Sequence, residues 1–312
     1  MADELHVVTG AFGFTGKYIA RHLVDAGLRV RTITNSYERA NPFKDKVKVF
    51  PYNFKEPEKL AASLRGATVL YNNYWVRFNH RDFTFARAVE SNRILFNAAQ
   101  KAGVKRIVQI SITNPSLQSE LEYFRGKAKI ERLLADSGIP YAILRPALIF
   151  GVEDVMINNI AWFLRKFPVF GIFGDGSYKL QPIHVDDLAR LAIEFGQKTG
   201  NFTIDAIGPE TFTYRELVNE IQKTLGVNRK IVSIPPAVGA MIGSVLGTLL
   251  GDVVITRDEI DGLMANLLAT SSEPLGTIKL SEWLKRHAIG LGVRYSSELA
   301  RRKDRRTSYE KL

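Results

Sequence analysis

The sequence predicts an α/β fold, a doubly wound parallel sheet followed by a small, mainly helical C-terminal domain. Three observations carry this. The apolar run Leu5–Thr9 breaks into Gly10, Gly13 and Gly16 and passes at once into a helical pattern. Strand and helix patterns then alternate strictly as far as Ser111, which calls for right-handed crossovers in one sheet. The chain's 312 residues suffice for a large core and a second, smaller domain.

The opening reads as strand, glycine turn and helix. Gly10 makes the tight turn, Gly13 lets the backbone approach a pyrophosphate, and Gly16 lets the helix pack closely on the strand. An anion there is favoured by the unpaired N–H groups and dipole of the helix N-terminus. Thr9, Gly10, Phe12, Gly13, Phe14, Thr15 and Gly16 are thus candidate dinucleotide-binding residues.

Residues 29–34 form the second strand, whose end faces the adenosine ribose in such sheets. An NAD site places Asp or Glu there, and an NADP site a cation. This chain has Asn35, Ser36, Glu38 and Arg39. The missing acid and the nearby Arg39 favour NADP over NAD, with Arg39 as a plain surface charge or a partner of Glu38 the alternative. Residues 47–50 are the third strand, and Asn53 and Phe54 follow where an adenine would lie.

After the fourth strand, 67–71, comes Asn72-Asn73-Tyr74-Trp75-Val76-Arg77-Phe78. Amides and aromatics at the end of a central strand stand where open α/β sheets bind ligands. Both a loop packed by its own aromatics and a substrate-facing loop fit, and Asn73 is a candidate for the cofactor. A helix through Asn92 leads to the fifth strand, 107–111. Beyond it Tyr123 and Lys127, four apart, share one helix face.

The combination Thr9-Gly10-x-x-Gly13-x-x-Gly16, Asn92, Ser111/Thr113 and Tyr123-x-x-x-Lys127 resembles the short-chain dehydrogenase/reductase superfamily, in its extended and atypical branches. Leu144–Gly151 is similar to the sixth strand and proline loop that flank the nicotinamide there, and Pro182–Ala189 to a strand-to-helix entry of the extended branch. The resemblance covers about the first 230 residues. Within the superfamily the chain is similar to sugar-nucleotide epimerase and dehydratase-like proteins. It is also similar to the NAD(P)-binding accessory subunit of respiratory complex I, whose members hold a dinucleotide without established catalysis.

The resemblance implies an NAD(P)-dependent oxidoreductase or epimerase-like enzyme, with NADP preferred and a small-molecule substrate carrying a hydroxyl or carbonyl. Tyr123 would be the acid/base, Lys127 would lower its pKa and hold the nicotinamide ribose, and Thr113, with Ser111 as fallback, would bond the substrate oxygen. Pro146 and Leu148 would border the nicotinamide. The accessory-subunit resemblance implies the alternative, a non-catalytic NADP(H) binder or sensor in a membrane or respiratory assembly.

The remaining sequence sets the surroundings. There is no cysteine, and the five histidines are scattered without metal-ligand spacing, so no metal site is expected. His184 and Asp186 read as structural, Asp186 as a helix N-cap. Thr213 and Glu216 form a capping box. The nearly uncharged stretch 235–251 is too short and glycine-rich for a membrane span and reads as a helix packed on the domain or at an interface. The net charge of +11 owes much to the run Arg301–Arg306, read as a solvated tail rather than a nucleic-acid element.

The expected organisation is a dinucleotide-binding domain over residues 1–208, a closure domain over 209–300 and a basic tail over 301–312. The first strand begins within five residues of Met1, so no targeting peptide is expected and the predicted location is cytoplasmic, with weak peripheral association at anionic membranes. The expected form is a monomer or homodimer with no nucleic-acid partner.

Overall fold

The computed structural model describes residues 4–81 and 83–311. The chain begins with β1 (Leu5–Thr9), buried along its whole length, as befits a parallel strand covered on both faces. Then follow α1 (Phe14–Asp25), β2 (Arg29–Ile33), β3 (Val47–Phe50), α2 (Pro57–Leu64), β4 (Ala67–Asn72), α3 (Phe85–Lys101), β5 (Arg106–Ile110), α4 (Glu122–Ala135) and β6 (Tyr141–Pro146). The first five expected strands are present to within a residue or two, the sixth begins at Tyr141 rather than Leu144, and α1 starts earlier than its apolar pattern, directly on the glycine turn.

Next come β7 (Leu148–Phe150), α5 (Met156–Lys166), β8 (Val169–Phe173), β9 (Lys179–Leu180), β10 (Pro182–His184), α6 (Val185–Gln197) and β11 (Phe202–Ala206). The last stretch holds β12 (Phe212–Thr213), α7 (Tyr214–Thr224), β13 (Lys230–Ile234), α8 (Pro236–Leu250), α9 (Arg257–Met264), α10 (Leu280–His287) and α11 (Glu298–Lys303).

The main sheet has seven strands in the order β11-β6-β5-β4-β1-β2-β3, the doubly wound arrangement. Parallel registers join β1 to both β2 and β4. The chain runs outward to β3 and then returns to lay β4 on the other side of β1. The topological switch point therefore lies between β1 and β4, where such sheets open a ligand crevice beyond their C-terminal edge.

The chain forms two compact units, and their division is discontinuous rather than a single cut after residue 208. One comprises residues 1–146, 188–205 and 305–308, and the other 147–187, 206–304 and 309–312. The reason is packing. Residues 147–187 contribute Phe150, Ile157, Leu164 and Ile172 to a core completed by Leu217, Ile221, Trp283 and Leu284. The first unit has its own core under the sheet, with Val7, Ile33, Leu70, Leu95, Ile107 and Ile143. Arg106 fastens its far edge, donating from its guanidinium to the carbonyls of Phe195 (2.8 Å), Gly200 (2.7 Å) and Tyr141 (3.1 Å).

In the second unit the Thr213–Glu216 capping box starts α7 as expected. Asp186 is not the cap of α6. It is the helix's second residue, and its N–H donates to His184 Nδ1 at 3.2 Å, so His184, at the end of β10, meets that first-turn donor. Asp187 instead accepts from the backbone N–H groups of Thr277 and Ile278 at 2.7 and 2.8 Å, pinning the segment before α10.

The apolar stretch forms α8, ended by Gly251 in the left-handed conformation (φ 63°). Its small face points inward: a Cβ at Gly239 would lie 2.4 Å from Phe173, at Gly243 2.8 Å from Ile255, and at Gly247 2.6 Å from the Asp252 carbonyl oxygen. Met241, Val245 and Leu249 are consequently exposed. No helix among the described residues is long and apolar enough to cross a membrane.

The basic run at the end is not a loose solvated tail. Its first half is α11, where Arg301 is buried and donates to the Glu153 carbonyl at 2.7 Å, and Arg302 pairs with Glu298 at 2.7 Å.

Candidate dinucleotide site

Gly10 has φ 64°, the left-handed conformation that a sharp strand-to-helix turn needs. Gly16 has a different task. A Cβ there would stand 2.3 Å from the Gly10 carbonyl oxygen and 2.9 Å from Asn73 Nδ2, so only glycine allows α1 to close on the turn. Gly13 stands at the N-cap of α1, which receives no side-chain cap, and its carbonyl accepts from Lys17 at 3.1 Å. Phe12 is buried below the turn, while Phe14 and Thr15 open the helix half-buried.

Thr9 is fully buried, and its hydroxyl ties β1 to the segment after β4. It accepts the Asn73 N–H at 2.9 Å and lies 3.2 Å from the Asn72 amide oxygen. Asn72 Nδ2 donates to Asn92 at 2.6 Å and to Gln109 at 2.7 Å, and Asn92 in turn holds the Tyr74 carbonyl at 3.2 Å. This buried amide network fixes how the chain leaves β4, and it explains Asn92 as a positioning residue. Asn73 Nδ2, aimed at the turn, is a buried donor with no partner among the described residues. Burying an amide without a hydrogen bond is unfavourable, so the turn offers an uncapped helix N-terminus and an orphaned donor together. Both suit a phosphate oxygen, and the residues present fit a dinucleotide.

The exit of β2 adjoins the same turn, since Gly10 N–H donates to the Ile33 carbonyl at 2.9 Å. Asn35 is exposed there, and Arg39, buried, closes a tight turn through its N–H to the Ser36 carbonyl at 3.1 Å. After β3, Asn53 takes a left-handed conformation (φ 45°). Phe54 stacks on Tyr52 with centroids 4.8 Å apart, and Tyr74 tilts against both. Burial pushes the Tyr52 hydroxyl well above the usual phenol range, so it acts as a neutral hydrogen-bonding group beside Thr9.

Tyr123 and Lys127 do share a face of α4, and what joins them is Trp75. Lys127 Nζ lies 5.1 Å from the indole centroid, and the Tyr123 ring meets the indole edge-on at 5.8 Å. A Cβ at Gly126 would be 2.7 Å from the indole, which explains a glycine between the pair. Phe85, at the start of α3, stacks on Trp75 at 5.5 Å, so the loop after β4 is packed by aromatics of α3 and α4 as well as by its own. The indole Nε1 is another buried donor without a partner among the described residues.

Lys127 is buried and donates to the Ile110 carbonyl at 3.1 Å. Burial drives its ammonium down to about 7, against the partial support of Glu131. Ser111 donates to Glu131 at 2.5 Å, and Glu131 also takes a bidentate pair from Arg145 at 2.6 and 3.1 Å. Thr113 is fully buried, its N–H donating to the Pro146 carbonyl at 3.0 Å where β6 ends. Leu148 lies half-buried at the start of β7. Sequence reasoning did not single out Glu131, although its i,i+4 spacing from Lys127 was a usable signal. Trp75 was visible only as one aromatic of its loop.

Residues 10–154 match the family model described as NAD(P)H-binding. Solved structures share the fold: the Citrobacter sp. triphenylmethane reductase complexed with NADP(H) has a TM-score of 0.74 and 20% identity, over 91% of this chain and 99% of that one. A nucleoside-diphosphate-sugar epimerase from Staphylococcus aureus gives 0.74 and 18%, over 90% and 99%. Residues 10–154 are thus a domain of the NAD(P)H-binding kind, and the chain has a Rossmann-like fold. In sequence it is similar to NADH dehydrogenase (ubiquinone) 1 alpha subcomplex subunit 9, mitochondrial, of Arabidopsis thaliana, 26% identical over 285 residues, which are 85% of this chain and 71% of the relative.

Proposed function

We propose that this protein holds NADP(H) as a tightly kept structural or sensing ligand, in the manner of an accessory subunit, rather than turning it over rapidly. The observation that carries this is Trp75. It packs on Gly126, lies over Lys127 and contacts the half-buried Tyr123, so an aromatic side chain stands against the face that would present an acid/base pair. The likeness to a complex I subunit supports the same reading. Gly10, Gly13, Gly16 and Asn73 would hold the pyrophosphate, Asn35 and Arg39 the adenosine ribose, and Asn53 and Phe54 would border the adenine. Peripheral association with an anionic membrane and a homodimer or monomer state belong to this proposal as well.

The second reading is a hydride-transferring oxidoreductase or epimerase. It is favoured by the Tyr123–Lys127 spacing and by a lysine able to change its charge near neutrality. A bound nicotinamide would supply hydride transfer, while Tyr123 would move the proton and Lys127 would stabilise the tyrosinate. Thr113 would position the substrate oxygen, since the Ser111 hydroxyl is engaged by Glu131.

Calorimetry with NADPH and NADH tests the first reading: NADPH should bind more tightly, Arg39→Ala should narrow the gap, and bound NADPH should persist unoxidised through a panel of sugar nucleotides, carbonyls and quinones. If a substrate is turned over and Tyr123→Phe lowers that rate by roughly 10²–10⁴ with NADPH affinity intact, the oxidoreductase reading replaces it.

Lys127 also makes a pH prediction for the ligand-free protein. The unfolded chain carries an ordinary lysine near 10.5, so between about 7 and 10.5 it binds more protons than the folded one. The stability penalty is complete below about 7 and is relieved as pH rises through that window. Lys127→Met should flatten this rise in thermal stability while weakening NADPH binding.

A further inference from the structure

The run Arg301–Arg306 divides into two parts. Arg301 and Arg302 serve α11, donating to Glu153 and Glu298. Arg305 and Arg306 return to the exit of β2, within the compact unit that holds the glycine turn. Arg305 Nη1 approaches the Asn35 carbonyl at 3.4 Å, and Arg306 pairs with Glu38 at 2.5 Å. Asn35 lies two residues beyond Ile33, whose carbonyl accepts from Gly10 N–H. Three arginines, counting Arg39, thus converge on the loop where the sequence lacks the acid that would receive a ribose 2′-hydroxyl.

We infer that Arg305 and Arg306 complete a subsite for the 2′-phosphate of an adenosine ribose, so that the C-terminal segment of this chain reads NADP(H) against NAD(H). The inference rests on the NADP(H) reading above and adds the residues that enforce it. The Arg306–Glu38 pair is a placeholder. Arg306 is 80% exposed and Glu38 49%, and an ion pair so open to water contributes little. A phosphate offers two negative charges and three acceptor oxygens to guanidinium forks that bind them bidentately, and it can displace a single carboxylate. The 3.4 Å contact of Arg305 with the Asn35 carbonyl is likewise long for a hydrogen bond. Glu38 then has the opposite preference: it repels a 2′-phosphate and can accept from a 2′-hydroxyl.

The test is calorimetry of the full chain with NADPH, NADH, and the fragments adenosine 2′,5′-bisphosphate and ADP. Arg305→Ala with Arg306→Ala should weaken NADPH and the bisphosphate by roughly tenfold or more, leaving NADH and ADP within about twofold. Glu38→Gln should move the ratio the other way, tightening NADPH relative to NADH. Tryptic cleavage after Arg305 and Arg306 should slow with saturating NADPH and not with NADH.

Equal losses for NADPH and NADH in the double variant would make the arginines structural and overturn the inference. So would an unchanged NADPH preference in the double variant, even with the unmodified protein preferring NADPH. If the unmodified protein binds neither dinucleotide, the NADP(H) reading itself fails and this inference falls with it.

Discussion

The protein contains two glycine triplets, and each lets a helix approach its neighbour closely, the first through Gly16 and the second through all three glycines. Gly10, Gly13 and Gly16, three apart, bring α1 onto the turn after β1. Gly239, Gly243 and Gly247, four apart, line one face of α8 and let it approach Phe173, Ile255 and Asp252. In the first triplet closeness leaves donors open at a helix N-terminus and so creates a binding surface. In the second it uses the small face for packing and leaves the large apolar side chains outside, with Leu249 77% exposed. A helix ordinarily buries its large apolar face. Here the backbone-to-core fit of three glycines sets the orientation, and the exposed stripe is its consequence.

The sharpest test of the comparison is Gly16→Ala. Its Cβ would meet the Gly10 carbonyl oxygen and carbon at 2.3 and 2.8 Å, and backbone atoms cannot step aside. A loss of about 3 kcal/mol or more in chemical denaturation is expected, together with loss of NADPH binding, at the top of the range for overpacking. A stable variant that still binds NADPH would show that the turn can open.

Within the second triplet the expected effects are smaller and unequal. Gly239→Ala pushes a methyl to 2.4 Å from the buried Phe173 ring and should cost about 1–2 kcal/mol. Gly243→Ala meets the Ile255 Cγ2 methyl at 2.8 Å and the Ile255 carbonyl oxygen at 3.4 Å, a milder clash than the Phe173 ring, and the helix-propensity gain of about 1 kcal/mol should offset much of it. Thermal melts of the two variants measure this; equal losses would mean that α8 is held by something other than the close approaches seen here.

The smallest effect belongs to the outward stripe. Leu249→Gln keeps the helix propensity and should change stability by less than about 0.5 kcal/mol, as exposed substitutions do. A loss several times larger would mean that Leu249 is covered in solution, and the contrast between the triplets would then be one of partners rather than of orientation.

The amino-acid pattern alone determined the doubly wound sheet and the glycine turn. Those features follow from local periodicity and from the few residues that accept a left-handed backbone, as Gly10 does. It also placed Tyr123 and Lys127 on one helix face, because spacing along a helix is local geometry. Tertiary structure decided what those residues meet. Trp75 reaches Lys127 across some 50 positions of sequence, Ser111 is taken by Glu131, and Arg306 returns over a separation of 268 residues to Glu38. It also decided that residues 147–187 join the second unit, that His184 rather than Asp186 meets the first turn of α6, and that α8 turns its glycines inward. Each is settled by shape and charge complementarity between distant segments, and nothing in the spacing of neighbouring residues encodes which surface will arrive from elsewhere in the chain.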